Sequence, residues 1–347
     1  MKSAVLVAGG TGGHINAALA VGEALREKSF EVSYLTGKRH LDYKLFAGEK
    51  VRHLNSRPLR TKNPFTLLKN VALNLSSFLL IMGSYLKKRP EFVVGAGGYV
   101  CGPTLLAAYL LGIPVYIIEQ NAVMGLTNRI LGWISKKIFV HFSETRGLSP
   151  NLSSRVRVVG NPTRKAIQPP GPKSVSEKVR VLVFGGSLGA AQINDVIYEI
   201  VKNPPFSNLS IHHQTGSATT PEIETGIEYV PVTYMDNIQK EYEWCDVIIS
   251  RSGASTVSEL RIIKKPTLIF PFPQATDNHQ VFNAEILRKE SDFDVIVLPP
   301  RLPKEEAIAK TKEFLLKARD KELLETKSAA LPNSTCEEIL KEIGVNG

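Results

Sequence analysis

Two short apolar runs, each ending in glycines, stand 176 positions apart. Val5-Leu6-Val7-Ala8-Gly9-Gly10-Thr11 recurs in kind as Val181-Leu182-Val183-Phe184-Gly185-Gly186-Ser187. Each reads as a strand buried on both faces that runs into a tight turn and a helix, the opening of a doubly wound α/β domain. Further apolar runs predict strands at 3–8, 31–35, 92–94, 115–118 and 137–141, then at 179–184, 209–214, 227–230, 246–249, 267–270 and 294–298. Apolar residues at helical spacing predict helices at 14–28, 64–88, 103–111 and 125–134, then at 189–202, 236–243, 254–263, 278–289 and 304–318. A last helix, about 334–343, follows Pro332 and is a candidate to cross back to the first domain. The alternation implies parallel sheets with right-handed crossovers. Segment 160–178, rich in Pro and Gly, reads as a linker. The expectation is an α/β chain of two doubly wound, Rossmann-like domains facing a shared cleft, 1–160 and 161–330, with a terminal segment 331–347.

Charge sharpens this picture. The net charge is +10, but residues 1–160 hold 21 Lys/Arg against 8 Asp/Glu, and the remainder 22 against 25. A basic first domain favours an anionic partner. No basic module of a nucleic-acid-binding type accompanies it, so no nucleic acid is expected. Residues 71–86 carry no charge and are bracketed by Lys62, Lys69, Lys87, Lys88 and Arg89. Basic flanks around an apolar helix face suit an anionic membrane surface contacted through 62–89, and also suit a core helix with solvated ends. No run reaches the 18 or so apolar residues of a membrane span. Cys101, Cys245 and Cys336 match no disulfide or zinc spacing and read as cytosolic thiols.

The candidate chemistry lies in the glycine-rich turns. In Gly9-Gly10-Thr11-Gly12-Gly13-His14 a helix N-terminus can hold a negative group, and His14 can accept a proton near neutral pH. The segment is neither a P-loop nor GxGxxG. Gly95-Ala96-Gly97-Gly98-Tyr99 and Gly185-Gly186-Ser187-Leu188-Gly189 are further turns of this type. Arg251-Ser252-Gly253-Ala254-Ser255-Thr256-Val257-Ser258-Glu259 opens a helix whose amides suit a diphosphate, with a carboxylate suited to a ribose or simply to the helix dipole. Asp292-Phe293-Asp294 has a metal-site form but reads as a turn, and His212 and His213 point to opposite faces of a strand. No metal site is expected.

In order, these motifs, with Glu119-Gln120-Asn121, Gly160-Asn161-Pro162-Thr163-Arg164 and Asp277-Asn278-His279-Gln280, resemble the MurG family, the peripheral-membrane N-acetylglucosaminyltransferases of bacterial peptidoglycan synthesis. The resemblance spans about residues 3–340 and implies a GT-B fold. It implies inverting transfer of GlcNAc from UDP-GlcNAc to the C4 hydroxyl of MurNAc in undecaprenyl-linked lipid I. It implies no cofactor or metal, and a peripheral location on the cytoplasmic face of the bacterial inner membrane. On the donor side it implies Thr11, Gly12, Gly13, Asn121, Arg164, Ser187, Met235, residues 254–258 (Ala254, Ser255, Thr256, Val257, Ser258), Glu259 and Gln280. On the acceptor side it implies Gly97, Gly98, Tyr99 and Glu119, with His14 as general base. Ala17 and Ile118 stand where the family often has Pro and His. Another GT-B lipid glycosyltransferase and a UDP-GlcNAc 2-epimerase are the rival expectations.

Overall fold

The computed structural model describes residues 2–163, 167–171, 176–186, 189–218, 221–323 and 334–345. The chain divides into two units, Met1–Lys165 with Asn333–Gly347, and Ala166–Pro332. The first carries β1 (Ser3–Val7), α1 (Gly12–Glu27), β2 (Glu31–Thr36), α2 (His40–Leu45), β3 (Val51–His53), α3 (Pro64–Lys87), β4 (Phe92–Gly95), α4 (Cys101–Leu110), β5 (Val115–Glu119), α5 (Leu126–Leu131), β6 (Lys137–Val140) and β7 (Val156–Val158). Its seven strands are all parallel, in the order β3-β2-β1-β4-β5-β6-β7. Strand alternation sends Ala4 and Leu6 to a core shared with α1, and Val5 and Val7 to a core shared with α4.

The second unit carries β8 (Val179–Phe184), α6 (Ala191–Lys202), β9 (Leu209–Gln214), β10 (Glu228–Val232), α7 (Ile238–Trp244), β11 (Val247–Ser250), α8 (Ala254–Ile263), β12 (Thr267–Ile269), α9 (His279–Glu290), β13 (Val295–Val297) and α10 (Lys304–Arg319). Its six parallel strands run β10-β9-β8-β11-β12-β13. The terminal helix α11 (Thr335–Ile343) belongs to the first unit. Ile339 and Leu340 bury in the α1 core, and Glu342 takes Lys137 Nζ at 2.8 Å and Arg157 Nε at 3.1 Å.

α3 extends further than its uncharged stretch. It runs 24 residues from an Asn63 cap with Pro64 in its first turn, and is long and apolar enough, by length and composition, to cross a membrane. One stripe, Ser77, Ile81 and Tyr85, is buried, and the helix packs on α4. The Asn70 and Asn74 amides donate to the Pro58 and Arg57 carbonyls at 2.8 Å. α3 is therefore a helix of the domain, lying on it by one narrow face.

Candidate active site

Each sheet reverses strand order once, between β1 and β4 and between β8 and β11. Loops leaving the carboxyl ends of the strands at such a reversal diverge, and α/β proteins bind ligands there. The four small-residue turns marked in the sequence follow these four strands.

In the first unit the two turns touch. Gly98 takes φ +93°, and a methyl group on it would overlap the Gly9 carbonyl oxygen. Only glycine permits both that φ and that approach. Gly97 lies beneath the His14 ring, where an added Cβ would come 2.8 Å from Cδ2 and 2.9 Å from Nε2. Half-buried His14 stands in α1, which is capped by Thr11 and has no acidic residue in its first turn. His14 Nδ1 is 3.2 Å from Gly9 O. A carbonyl only accepts, so this network assigns the hydrogen to Nδ1 and the basic lone pair to Nε2.

The same turn is held from α2. Fully buried Asp42 accepts from Gly10 N at 3.2 Å and from Arg39 N at 3.0 Å. The Arg39 guanidinium donates to Gly10 O at 3.3 Å and lies 5.2 Å over the Tyr99 ring. Burial pushes the Tyr99 hydroxyl above its ordinary pKa. Sequence reasoning missed Asp42 and Arg39, because α2 is short and of mixed polarity and shows no apolar stripe; Asp42 three residues after Arg39, accepting from its backbone N–H, leaves no distinctive sequence signal.

Glu119, expected on the acceptor side, has a different place. It is 2% exposed, and its carboxylate accepts from Asn121 N at 3.1 Å, Asn121 Nδ2 at 3.3 Å, Gly125 N at 2.9 Å and Asn128 Nδ2 at 2.9 Å. It folds the 120–125 loop and so orients Asn121.

In the second unit Gln214 bridges the β8 turn to Met235, donating to Gly186 O at 2.8 Å and accepting from Met235 N at 3.0 Å. Beside it, His213 Nε2 meets Asn194 Oδ1 at 3.1 Å, Nδ1 meets the Tyr229 hydroxyl at 3.0 Å, and Asn194 Nδ2 donates to Thr215 O at 2.9 Å. Burial pulls the His213 pKa down to about 4, so the ring is neutral at pH 7. His212 instead pairs with Glu241 at 2.7 Å and stacks on Trp244, so the two histidines do face opposite ways.

α8 begins after Gly253 with no side-chain cap and no acidic first-turn residue. Its first backbone bond is Val257 N to Gly253 O at 2.9 Å, so the amides of Ala254, Ser255 and Thr256 precede the helical ladder. The Val257 side chain is fully buried, and Ser258 Oγ donates to Ala254 O at 2.8 Å. The stretch able to meet an anion thus narrows from 254–258 to 254–256. Glu259 Oε2 accepts from the buried Tyr242 hydroxyl at 2.7 Å, and burial together with that carboxylate keeps the phenol protonated. Ser252 Oγ donates to Gln280 O at 2.7 Å, while Gln280 Oε1 accepts from Phe272 N at 3.0 Å. Arg251 braces the turn that follows β12. It is buried, donates to Phe270 O at 2.9 Å and Pro271 O at 3.1 Å, and is pulled down to about 10 by burial. Asp292 pairs with Lys264 at 3.1 Å, and no cluster of potential metal ligands occurs among the described residues.

Two family models match in tandem: the glycosyltransferase family 28 N-terminal domain over residues 4–140, and its C-terminal domain over residues 180–343. The chain belongs to glycosyltransferase family 28. Relatives in Francisella philomiragia (37% identical, 84% of this chain and 83% of theirs) and Myxococcus xanthus (34%, 83% and 78%) are both called UDP-N-acetylglucosamine–N-acetylmuramyl-(pentapeptide) pyrophosphoryl-undecaprenol N-acetylglucosamine transferase. The solved structure of Acinetobacter baumannii MurG matches with a TM-score of 0.72 at 26% identity over 99% of each chain. A Neisseria meningitidis UDP-GlcNAc 2-epimerase shares the fold alone, with a TM-score of 0.61 at 14% identity over 99% of this chain and 100% of its own. As a family 28 member this chain is a glycosyltransferase of GT-B fold.

Of the residues that the MurG-family resemblance marked, Thr11, Gly12, Gly13, His14, Gly97, Gly98 and Tyr99 gather at the β1/β4 reversal. Ala254, Ser255, Thr256, Glu259 and Gln280 gather around the β11 end, with Met235 tied to the β8 turn. Arg164 and Ser187 lie outside the described residues.

Proposed function

We propose that this family 28 enzyme transfers GlcNAc from UDP-GlcNAc to the C4 hydroxyl of MurNAc in undecaprenyl-pyrophosphoryl-MurNAc-pentapeptide, with inversion. One observation carries the reading: the two strand-order reversals hold complementary chemistry, a histidine with a defined basic nitrogen at one and an uncapped, acid-free helix start beside a carboxylate at the other. The names of the relatives support the donor and the acceptor. His14 Nε2 takes the hydroxyl proton as the acceptor oxygen bonds to the anomeric carbon. The bond from that carbon to the diphosphate breaks, and its electron pair leaves with UDP. The amides of residues 254–256 meet the growing charge, in place of a metal, and Glu259 receives the ribose.

The lipid acceptor gives the exposed face of α3 its purpose. Phe65 is 83% exposed, Leu68 71% and Leu75 55%, with lysines at both ends of the helix. Such a surface suits a peripheral position on anionic lipid, on the cytoplasmic face of the bacterial inner membrane.

The test mixes the enzyme with labelled UDP-GlcNAc and a short-chain lipid I analogue, with and without EDTA. Label in the disaccharide-lipid under EDTA supports both the transfer and the metal-free site. Transfer abolished by EDTA overturns the metal-free part, and 2-epimerisation without an acceptor overturns the transfer. Sedimentation with anionic vesicles, weakened about tenfold by F65S, supports the membrane face, since immersing one such side chain contributes roughly 1.5–3 kcal/mol.

A further inference from the structure

The hydrogen bonds around His14 close on one peptide group. The Gly9 carbonyl that accepts from His14 Nδ1 (3.2 Å) and the Gly10 N–H that donates to Asp42 Oδ1 (3.2 Å) are the two ends of the Gly9–Gly10 peptide. We propose that Asp42 is a positioning residue that acts on His14 through this peptide. A carboxylate on the N–H end draws charge onto the carbonyl oxygen, because the two ends are conjugated. The oxygen becomes a stronger acceptor for Nδ1–H, fixes the tautomer that leaves Nε2 basic, and stabilises the imidazolium once Nε2 has taken a proton. The arrangement does the work of a carboxylate–imidazole pair with one amide between the partners.

Three features make the peptide a rigid coupler. Asp42 is fully buried, and its second oxygen is fixed by Arg39 N at 3.0 Å. Gly9 has no room to shift, because Gly98 lies against its carbonyl and an added Cβ on Gly9 would come 3.0 Å from the Val100 side chain. The His14 ring rests on Gly97. Other charged or titratable groups near this turn, among the described residues, include Arg39, whose guanidinium is 3.3 Å from Gly10 O, Tyr99, whose ring lies beneath that guanidinium, Arg57, which acts on Tyr99, and Cys101, whose thiol donates to Gly97 O at 3.3 Å. Arg39 opposes protonation of His14, and Asp42 favours it.

The inference rests on His14 being the base, and its test separates the two ideas. The full-length enzyme, labelled with 15N-histidine, reports the tautomer and pKa of His14 directly, with its signals assigned by their loss in H14Q. In D42N the His14 pKa should fall by about 1–1.5 units, the size expected of one charge acting across a peptide, about 8–10 Å, at an effective dielectric constant of about 20. The Nδ1–H tautomer should lose population, and the acid limb of kcat/KM should move down by the same amount. In R39Q the pKa should rise, and this variant carries the test if D42N does not fold. An unchanged His14 pKa and tautomer in folded D42N, or a fall in R39Q, overturns the proposal. A shifted pKa with an unmoved acid limb leaves the coupling standing and removes His14 from the base role.

Discussion

Replacing Gly98 with alanine should damage catalysis through one contact. The new methyl group would overlap the Gly9 carbonyl oxygen, with the carbonyl carbon only 3.0 Å away, and the residue would be held at φ +93°. Leaving glycine in that region costs about 1–2 kcal/mol. Relieving the overlap requires the β1 and β4 turns to part by about 1 Å, and overpacking of this kind costs roughly 1–3 kcal/mol more. The total, about 2–5 kcal/mol, should lower the melting temperature of the first unit by roughly 5–15 °C. The catalytic effect is more specific. His14 is hydrogen-bonded to the Gly9 carbonyl, so the ring moves with the turn. A displacement near 1 Å is worth about a hundredfold in rate. The residues assigned to the diphosphate and ribose, 254–256 and Glu259, lie in the other unit, so affinity for UDP itself, which lacks the donor sugar, should be unchanged. The assay pairs transfer kinetics with UDP binding by calorimetry. G98A with wild-type kcat and melting temperature would refute the reasoning, as would a loss confined to UDP affinity.

Three further outcomes follow from the geometry. E119Q places an amide N–H₂ where an oxygen now accepts two donors, so it should destabilise the 120–125 loop by about 2–3 kcal/mol and cut kcat at least tenfold, read by denaturation and transfer kinetics. Y242F removes the hydroxyl that orients Glu259; it should raise the KM for UDP-GlcNAc about three- to tenfold with kcat nearly unchanged, and an effect on kcat alone would contradict the ribose assignment. His213 titrates near 4 when folded, against 6.5 when unfolded, so its neutral burial contributes stability above pH 6.5 that is lost as pH falls towards 4. The loss should reach at most about 3 kcal/mol, and H213N, which keeps one polar partner, should flatten urea midpoints across that window.

Sequence and tertiary structure divided the information along physical lines. Strands such as Val181–Phe184 and helices such as α10 are legible because burial on both faces, or on one face at a helical period, writes itself into local composition. The glycine turns are legible for a similar reason, since positive φ and close backbone approach exclude nearly every other residue. Their order along the chain pointed to the family, and the family models and relatives agree with it. Elements of mixed polarity were not legible: β3 (Val51-Arg52-His53) and β7 (Val156-Arg157-Val158) are the half-buried edge strands of their sheet and α2 (His40-Leu41-Asp42-Tyr43-Lys44-Leu45) buries Asp42, so none of them carries an apolar run, whereas the equally short but apolar β12 and β13 stood out. The roles of polar groups were not legible either. A buried glutamate and an exposed one are the same letter, so only the folded loop shows Glu119 consumed by four donors, Val257 turned into the core, and Arg251 held by the Phe270 and Pro271 carbonyls. Asp42 stands 32 positions from Gly10, and only the pairing of β1 with β2 brings α2 beside the first glycine turn. The chain alone determined the order of strands and helices and which turns must be glycine. The tertiary structure decided which side chains remain for chemistry, because hydrogen bonds between distant segments are fixed by topology and leave no local trace.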